Sequence, residues 1–260
     1  MKKVALITGA STGIGRQFAE IHADRGGDLI VVARSRDKLE SLKAEVESKY
    51  SVQVAVIAKD LSQRESAQQL YREVKGAGIE VDYLINNAGF GGHGKFHEQA
   101  WADSLAMIQL NLVALTELCR LFLPDFVARS HGRILNVSST ASLVPGPLQA
   151  VYYATKAYVT SFSNALAEEL HDTSVTVTAL LPGPTETEFA RTSRMEQTDL
   201  FAKTASPKLV ALDGYRGMLA GKLNVISGVS PWQRLMLTMI PFTPRKLLLR
   251  QVRKLQEYKS

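Results

Sequence analysis

Short, nearly unbroken apolar runs alternate with amphipathic stretches of helical length through most of this chain, and few folds accommodate that alternation. β-Branched runs stand at 4–8, 29–33, 52–58, 83–86, 133–138 and 175–181. Helical patterns at 14–25, 36–49, 62–75, 105–129 and 151–170 separate them. Apolar strands with little alternation are buried on both faces, which implies a parallel sheet covered by helices. Right-handed βαβ crossovers of this length predict one doubly wound α/β domain. After 181 the pattern breaks at Pro182-Gly183-Pro184, and a polar segment without clear period runs to 206. A structureless stretch that long in a compact domain is a lid or a disordered loop. A helix is expected at 207–219, a strand at 224–227, and two apolar-basic segments near 231–239 and 243–254. The expected division is a domain over 1–229, with 184–221 as its lid region, and a basic helical extension over 230–260.

Composition narrows the function classes. With 45% hydrophobic and 22% charged residues in a chain of 260, wholesale disorder is excluded. No run of about 18 uninterrupted apolar residues occurs, so no spanning helix is expected. The single cysteine, Cys119, cannot form an intrachain disulfide or a cysteine-rich zinc site. It sits in an apolar helical stretch and reads as a buried structural thiol. No metal site is expected, and the natural setting is a reducing, cytoplasmic one. Lys2-Lys3 before a four-residue apolar run resembles the start of a signal peptide, but Thr8-Gly9 interrupts it too early, so export is not expected. The net charge of +6 is concentrated at the end: 241–260 carries six basic residues and one acidic one. The rest of the chain is nearly neutral, so no nucleic acid partner is expected. The basic tail, with Leu247, Leu248, Leu249, Val252 and Leu255 among its cations, predicts an amphipathic helix. It packs on its own domain or a second subunit, or makes weak contact with a membrane surface.

The chemistry lies at the strand ends. Thr8-Gly9-Ala10-Ser11-Thr12-Gly13-Ile14-Gly15 joins the first strand to the first helix, where glycines let the backbone approach a pyrophosphate and the helix N-terminus offers N–H groups to the anion. The second strand ends Ala33-Arg34, with no carboxylate before Asp37. An acidic residue there would accept from a ribose 2′-hydroxyl, whereas arginine pairs with a 2′-phosphate, so NADP(H) is favoured with NAD(H) as the alternative. Asp60-Leu61 closes the third strand and Asn86-Asn87-Ala88-Gly89 the fourth, both where ligands bind in open parallel sheets. Tyr152 and Lys156 stand four apart, one above the other on a helix, and an ammonium there lowers a phenol pKa that starts near 10. That is what a tyrosine general acid/base requires. Ser139 ends the preceding strand, where its hydroxyl can hydrogen-bond a substrate carbonyl.

Together these motifs resemble the short-chain dehydrogenase/reductase family. TGxxxGxG at 8–15, Asp60-Leu61, NNAG at 86–89, Asn111, Ser139, YxxxK at 152–156 and Pro182-Gly183 occur in that family's order and spacing, over residues 2 to about 190. The resemblance implies a single Rossmann-type domain with a seven-stranded parallel sheet. It implies a catalytic set of Asn111, Ser139, Tyr152 and Lys156. It also implies that Gly9, Ser11, Thr12, Gly13, Ile14, Gly15, Arg34, Asp60, Leu61, Asn87, Ala88, Gly89, Pro182 and Gly183, with Tyr152 and Lys156, contact the cofactor. Thr187 would reach the nicotinamide carboxamide, and Asn111 would hold a water linking Lys156 to solvent. Thr12 stands where many NADP-using members carry a basic residue, so the NADP preference rests on Arg34. Substrate contacts fall to Ser139, Tyr152, Tyr153 (or packing, for the last) and His93 in the mobile-looking loop after NNAG. The expected activity is hydride transfer between NADP(H) and a ketone or secondary alcohol. A 3-oxoacyl thioester reductase and a non-catalytic NADP-binding regulator are the alternatives. A homo-oligomer, dimer or tetramer, is implied through the 105–129 and 151–170 helices.

Overall fold

The computed structural model describes residues 2–258. Seven strands, β1 (Val4–Thr8), β2 (Asp28–Ala33), β3 (Val54–Ala58), β4 (Tyr83–Asn86), β5 (Gly132–Val137), β6 (Val175–Pro182) and β7 (Asn224–Ser227), form one sheet in the order β3-β2-β1-β4-β5-β6-β7. Every neighbouring pair is parallel. The expected doubly wound, seven-stranded α/β fold is therefore the observed one. Strand order reverses between β1 and β4, and in such sheets that switch point is where ligands bind, beyond the carboxyl ends.

Alternate side chains of each strand feed two cores. On one face Ala5, Ile7, Leu29 and Val31 meet α1 (Gly13–Asp24), α2 (Arg36–Lys49) and α8 (Pro207–Leu219), through Phe18, Leu39, Leu42 and Tyr215. On the other, Leu6, Ile30, Val32 and Leu84 meet α3 (Ser66–Gly76), α5 (Leu115–Ala128) and α6 (Ala150–Glu169), through Leu70, Leu118, Phe122 and Val159. Burial on both sides explains why these strands read as continuous apolar runs.

Four expectations are corrected. α3 begins at Ser66 and not near 62, because the Asp60 carboxylate accepts from the Ser62 N–H at 2.9 Å and closes a turn ahead of the helix. The helix expected over 105–129 starts at Trp101: α4 (Trp101–Ile108) widens into a π turn over Gln109–Ala114 and continues as α5. Among the described residues this run, Trp101–Ala128, is long and apolar enough by length and composition to cross a membrane, contrary to the expectation of none. Scattered polar residues broke the apolar count but not the mean hydropathy. Here Leu118, Phe122 and Phe126 are packed into the second core.

The fourth correction concerns 184–206, which is ordered. A parallel bridge between Thr185 and Ala205 closes its base, and it contains α7 (Phe189–Thr192) and a 3-10 turn, Asp199–Phe201. The tail holds it down: after α9 (Pro231–Met239), α10 (Arg245–Gln256) packs back, Thr198 bridges Tyr258, and the Tyr258 hydroxyl donates to the Arg194 carbonyl at 3.0 Å. Of the α10 leucines, Leu248 is buried while Leu247 stays 49% exposed. The extension therefore closes onto its own domain.

Phe126 is fully buried against the backbone of Gly132 at the start of β5. Phe126→Ala should lower unfolding stability by about 3–5 kcal/mol in urea titration, since the β5 backbone cannot collapse into the void.

Candidate active site

The carboxyl ends of β1 and β4 are fastened by one hydroxyl. Thr8 Oγ1 accepts from the backbone N–H groups of Asn87 and Ala88, both at 3.0 Å. The Asn87 amide returns two bonds, to the carbonyls of Thr8 (3.0 Å) and Gly9 (3.2 Å). Gly9 adopts φ +66°, and a β-carbon on it would stand 2.9 Å from the Ala88 backbone. A β-carbon on Gly15 would fall 2.2 Å from the Gly9 carbonyl oxygen, so only glycine lets α1 start this close to the turn. Thr12 takes the N-cap position of α1 without a side-chain cap bond, leaving the first-turn N–H groups directed into the cleft.

An open cleft of about 520 Å³ runs along these strand ends. Gly9, Ser11, Thr12, Gly13 and Ile14 line it, as do Asn87, Ala88 and Gly89, and Pro182, Gly183 and Thr187 opposite. Arg34 lines its far end, joined by two cations the sequence reading did not single out, Lys38 and Lys59. Lys38 also pairs with Glu188 of the lid at 3.2 Å. Asp60 and Leu61 complete this end. Burial raises the Asp60 pKa, but the Ser62 hydrogen bonds, with Arg34 contributing, outweigh it and hold the carboxyl below its ordinary value.

The near end carries the reactive groups. Ser139, Tyr152, Tyr153 and Lys156 all line the cleft. Ser139 caps a 3-10 turn, Thr140–Leu143, its Oγ accepting from Ala141 N–H at 3.1 Å. Lys156 Nζ donates to the Val137 carbonyl at 2.8 Å and lies 5.9 Å from the Tyr152 ring centre. Burial pushes the Tyr152 phenol up to about 12, against a smaller opposing effect of the Ser139 hydrogen bond. Burial likewise brings Lys156 down to about 8. The expectation that Lys156 depresses the tyrosine pKa is thus reversed in this protein-only site: desolvation of both groups prevails, and the phenol is held neutral.

Three anticipated residues do not line the cleft. Gly15 is behind the turn, where it sets the helix approach. Asn111 is 1% exposed within the π turn. Its Oδ1 accepts from Phe90 N–H at 3.2 Å, and its Nδ2 donates to the Phe90 carbonyl (3.0 Å) and Thr155 Oγ1 (3.2 Å). It clamps the loop that follows β4. His93 points to the tail instead of the cleft: Nε2 donates to the Gln256 carbonyl at 2.7 Å and the ring packs on Tyr258. No sequence signal revealed that His93 would meet the chain's end. Also unanticipated is an apolar roof, in which Met107 and Leu248 and Val252 of α10 cluster with Tyr152 and Tyr153, flanked by Phe90 and Phe189.

Comparison with known proteins agrees with this geometry. The family model for short chain dehydrogenases matches residues 3–198. The chain belongs to the short-chain dehydrogenase/reductase family. Among curated relatives it is 32% identical to a human very-long-chain 3-oxoacyl-CoA reductase over 90% of this chain and 78% of that one. It is 35% identical to the bovine protein of that name, covering 73% of this chain and 62% of the relative's length. A short-chain dehydrogenase from Sphingobium yanoikuyae in complex with NADPH matches with TM-score 0.83 and 29% identity over 99% of both chains. A bulky-bulky ketone specific alcohol dehydrogenase from Comamonas testosteroni matches with TM-score 0.77 and 28% identity, over 92% of this chain and 93% of that one. Like these relatives, this member of the family is an oxidoreductase.

Within this oxidoreductase, Asn111→Leu should leave the N–H and carbonyl of Phe90 unpaired. A loss of about 1–3 kcal/mol per orphaned group is expected, visible as a lowered thermal midpoint and faster amide exchange at Phe90 and Gly91.

Proposed function

We propose that this protein is an NADP(H)-dependent carbonyl reductase/alcohol dehydrogenase in which Tyr152 exchanges a proton with the oxygen of a ketone or secondary alcohol. The observation that carries this reading is the convergence of Ser139, Tyr152 and Lys156 in the same cleft that the glycine turn lines.

The cleft fits a dinucleotide. Its glycines leave no room for a β-carbon beside the turn, its α1 N-terminus presents N–H groups, and Arg34, Lys38 and Lys59 gather where a 2′-phosphate would lie. The complex of the Sphingobium protein with NADPH supports the same choice. When bound, the nicotinamide supplies or accepts the hydride. The remaining work falls to the protein. Tyr152 keeps its proton at neutral pH and donates it to the carbonyl oxygen, a transfer that depends on the Lys156 ammonium nearby because burial by itself makes the phenol a weaker acid. Ser139, positioned by its turn, donates a hydrogen bond to that oxygen as negative charge develops. The Lys156 ammonium, about one turn away, stabilises the phenolate left behind. Thr187 stands against the glycine turn, where it can orient the carboxamide.

A 3-oxoacyl thioester is the second reading of the substrate. The names of the curated relatives favour it, as does the apolar roof of Phe90, Phe189, Leu248 and Val252 over the tyrosines, which suits an acyl chain. Comparing kcat/KM for a 3-oxoacyl-CoA and for a bulky ketone decides between them.

Tyr152→Phe should cut turnover by at least ~10²–10⁴-fold while leaving NADPH binding intact by fluorescence titration; wild-type rates in that variant would sink the assignment. Arg34→Ser should raise KM for NADPH by about tenfold or more and leave KM for NADH nearly unchanged, the loss of one charge-assisted contact. Because the Lys156 charge is present below its value of about 8 and lost above it, kcat for ketone reduction should fall as pH rises through about 8. A pH-independent kcat across that window would show that the charge does not assist the step.

A further inference from the structure

α9 is held to the fold by little packing. None of its nine residues is buried. It is started by a capping box between Ser230 and Gln233, and Arg234 ties it to the body by donating to the Ile226 carbonyl at 2.6 Å. So short a helix with no packed face is marginal in water, because helices are held mainly by burying one side. What it turns outward is a stripe: Trp232, Leu235, Met236 and Met239 recur at i, i+3, i+4 and i+7. They are 68%, 52%, 51% and 48% exposed, and Phe242, just beyond, is 79% exposed. Scattered exposed apolar residues are ordinary, whereas five on one short segment form a patch that needs an occupant.

The surrounding charge selects that occupant. From 231 to 256 the chain carries six cations, Arg234, Arg245, Lys246, Arg250, Arg253 and Lys254, and no carboxylate. All six are exposed. A two-fold contact with a second copy would set these cations against one another. An acidic protein would match the charge but leave the tryptophan, methionine and phenylalanine stripe without a use. An apolar stripe containing Trp and Phe, flanked by Lys and Arg, is the composition that lies in the headgroup boundary of a bilayer carrying anionic lipid.

We propose that 231–256 docks on an anionic lipid surface, with the α9 stripe in the acyl boundary and the α10 cations over lipid phosphates. The buried face of α10, Leu248 and Val252, belongs to the roof over Tyr152 and Tyr153, so docking brings the covered end of the active-site cleft against the bilayer, from which an apolar substrate can enter.

The chain has two tryptophans, so full-length protein carrying Trp101→Phe reports on Trp232 alone. It should sediment with vesicles of phosphatidylcholine mixed with phosphatidylglycerol, with a blue shift of Trp232 emission, and should bind far more weakly to phosphatidylcholine alone. Met236→Ser with Met239→Ser should weaken that binding ~10-fold or more, and Lys246→Gln with Arg250→Gln should weaken it ~10-fold or more at low salt and lessen its salt dependence. Both pairs should retain the melting temperature and the turnover of a water-soluble ketone. No sedimentation with the anionic vesicles, equal binding to both compositions, or binding indifferent to these substitutions would overturn the proposal. So would a blue shift produced by protein concentration alone with a doubled mass in light scattering, which would identify a second copy as the occupant. The readout is partitioning and not turnover, so it stands or falls apart from the carbonyl reductase reading.

Discussion

The bond pattern around the Thr8 hydroxyl is what the rest of the cleft depends on. At the switch point two strands that part company must end at the same level, and a single Oγ accepting from Asn87 and Ala88 sets that level. The Asn87 amide then holds the first residues of the glycine turn, and the turn sets where α1 begins. A polar side chain with one donor and two acceptor sites does this without leaving an unpaired group in a buried place. Position of the helix N-terminus, approach of the glycines and exit of the loop toward Phe90 follow from it. On the far side of β4, Asn111 repeats the device, gripping both backbone polar groups of Phe90 from a π turn.

Desolvation governs the reactive end. Tyr152 and Lys156 are both buried, and burial moves them oppositely, the phenol to about 12 and the ammonium to about 8. The charged form of each is disfavoured by the same burial, so the pair is held as a neutral phenol beside an amine whose charge is easily lost. The apolar surroundings of Tyr152 are supplied in part from α10, far away in sequence. The tail is therefore part of the active-site environment on its inner face, while its outer face remains charged.

Much of the architecture was legible from residue order. The two-faced burial of the strands shows in uninterrupted runs such as Leu29–Val32, whose alternate residues enter different cores. The strands at 4–8 and 83–86 and the helices at 36–49 and 207–219 have the expected bounds, because apolar period and breaking residues coincide there. The glycine turn, NNAG, Ser139 and the Tyr152–Lys156 pair lie together as their spacing implied, since each is tied to the end of a strand whose place in the sheet is set by topology. Periodicity carries less information at helix starts: Asp60 and Ser62 displaced α3 by a side-chain bond that apolar pattern does not record.

By itself the sequence determined which elements form, which faces they bury and which chemical groups stand at the strand ends, because these depend on local period and on residues close in the chain. Only the tertiary structure decided the rest. The segment between Pro184 and Ser206 has little periodicity of its own, and its order comes from Tyr258 and the Thr185–Ala205 bridge. Lys59, just after β3, shares the cleft end with Arg34 only because β2 and β3 lie side by side. His93 was turned from substrate toward the Gln256 carbonyl, and the tyrosine pKa was raised where a neighbouring lysine predicted a fall. In each case the deciding quantity is burial or contact between residues far apart in the chain, and spacing along the chain does not encode it.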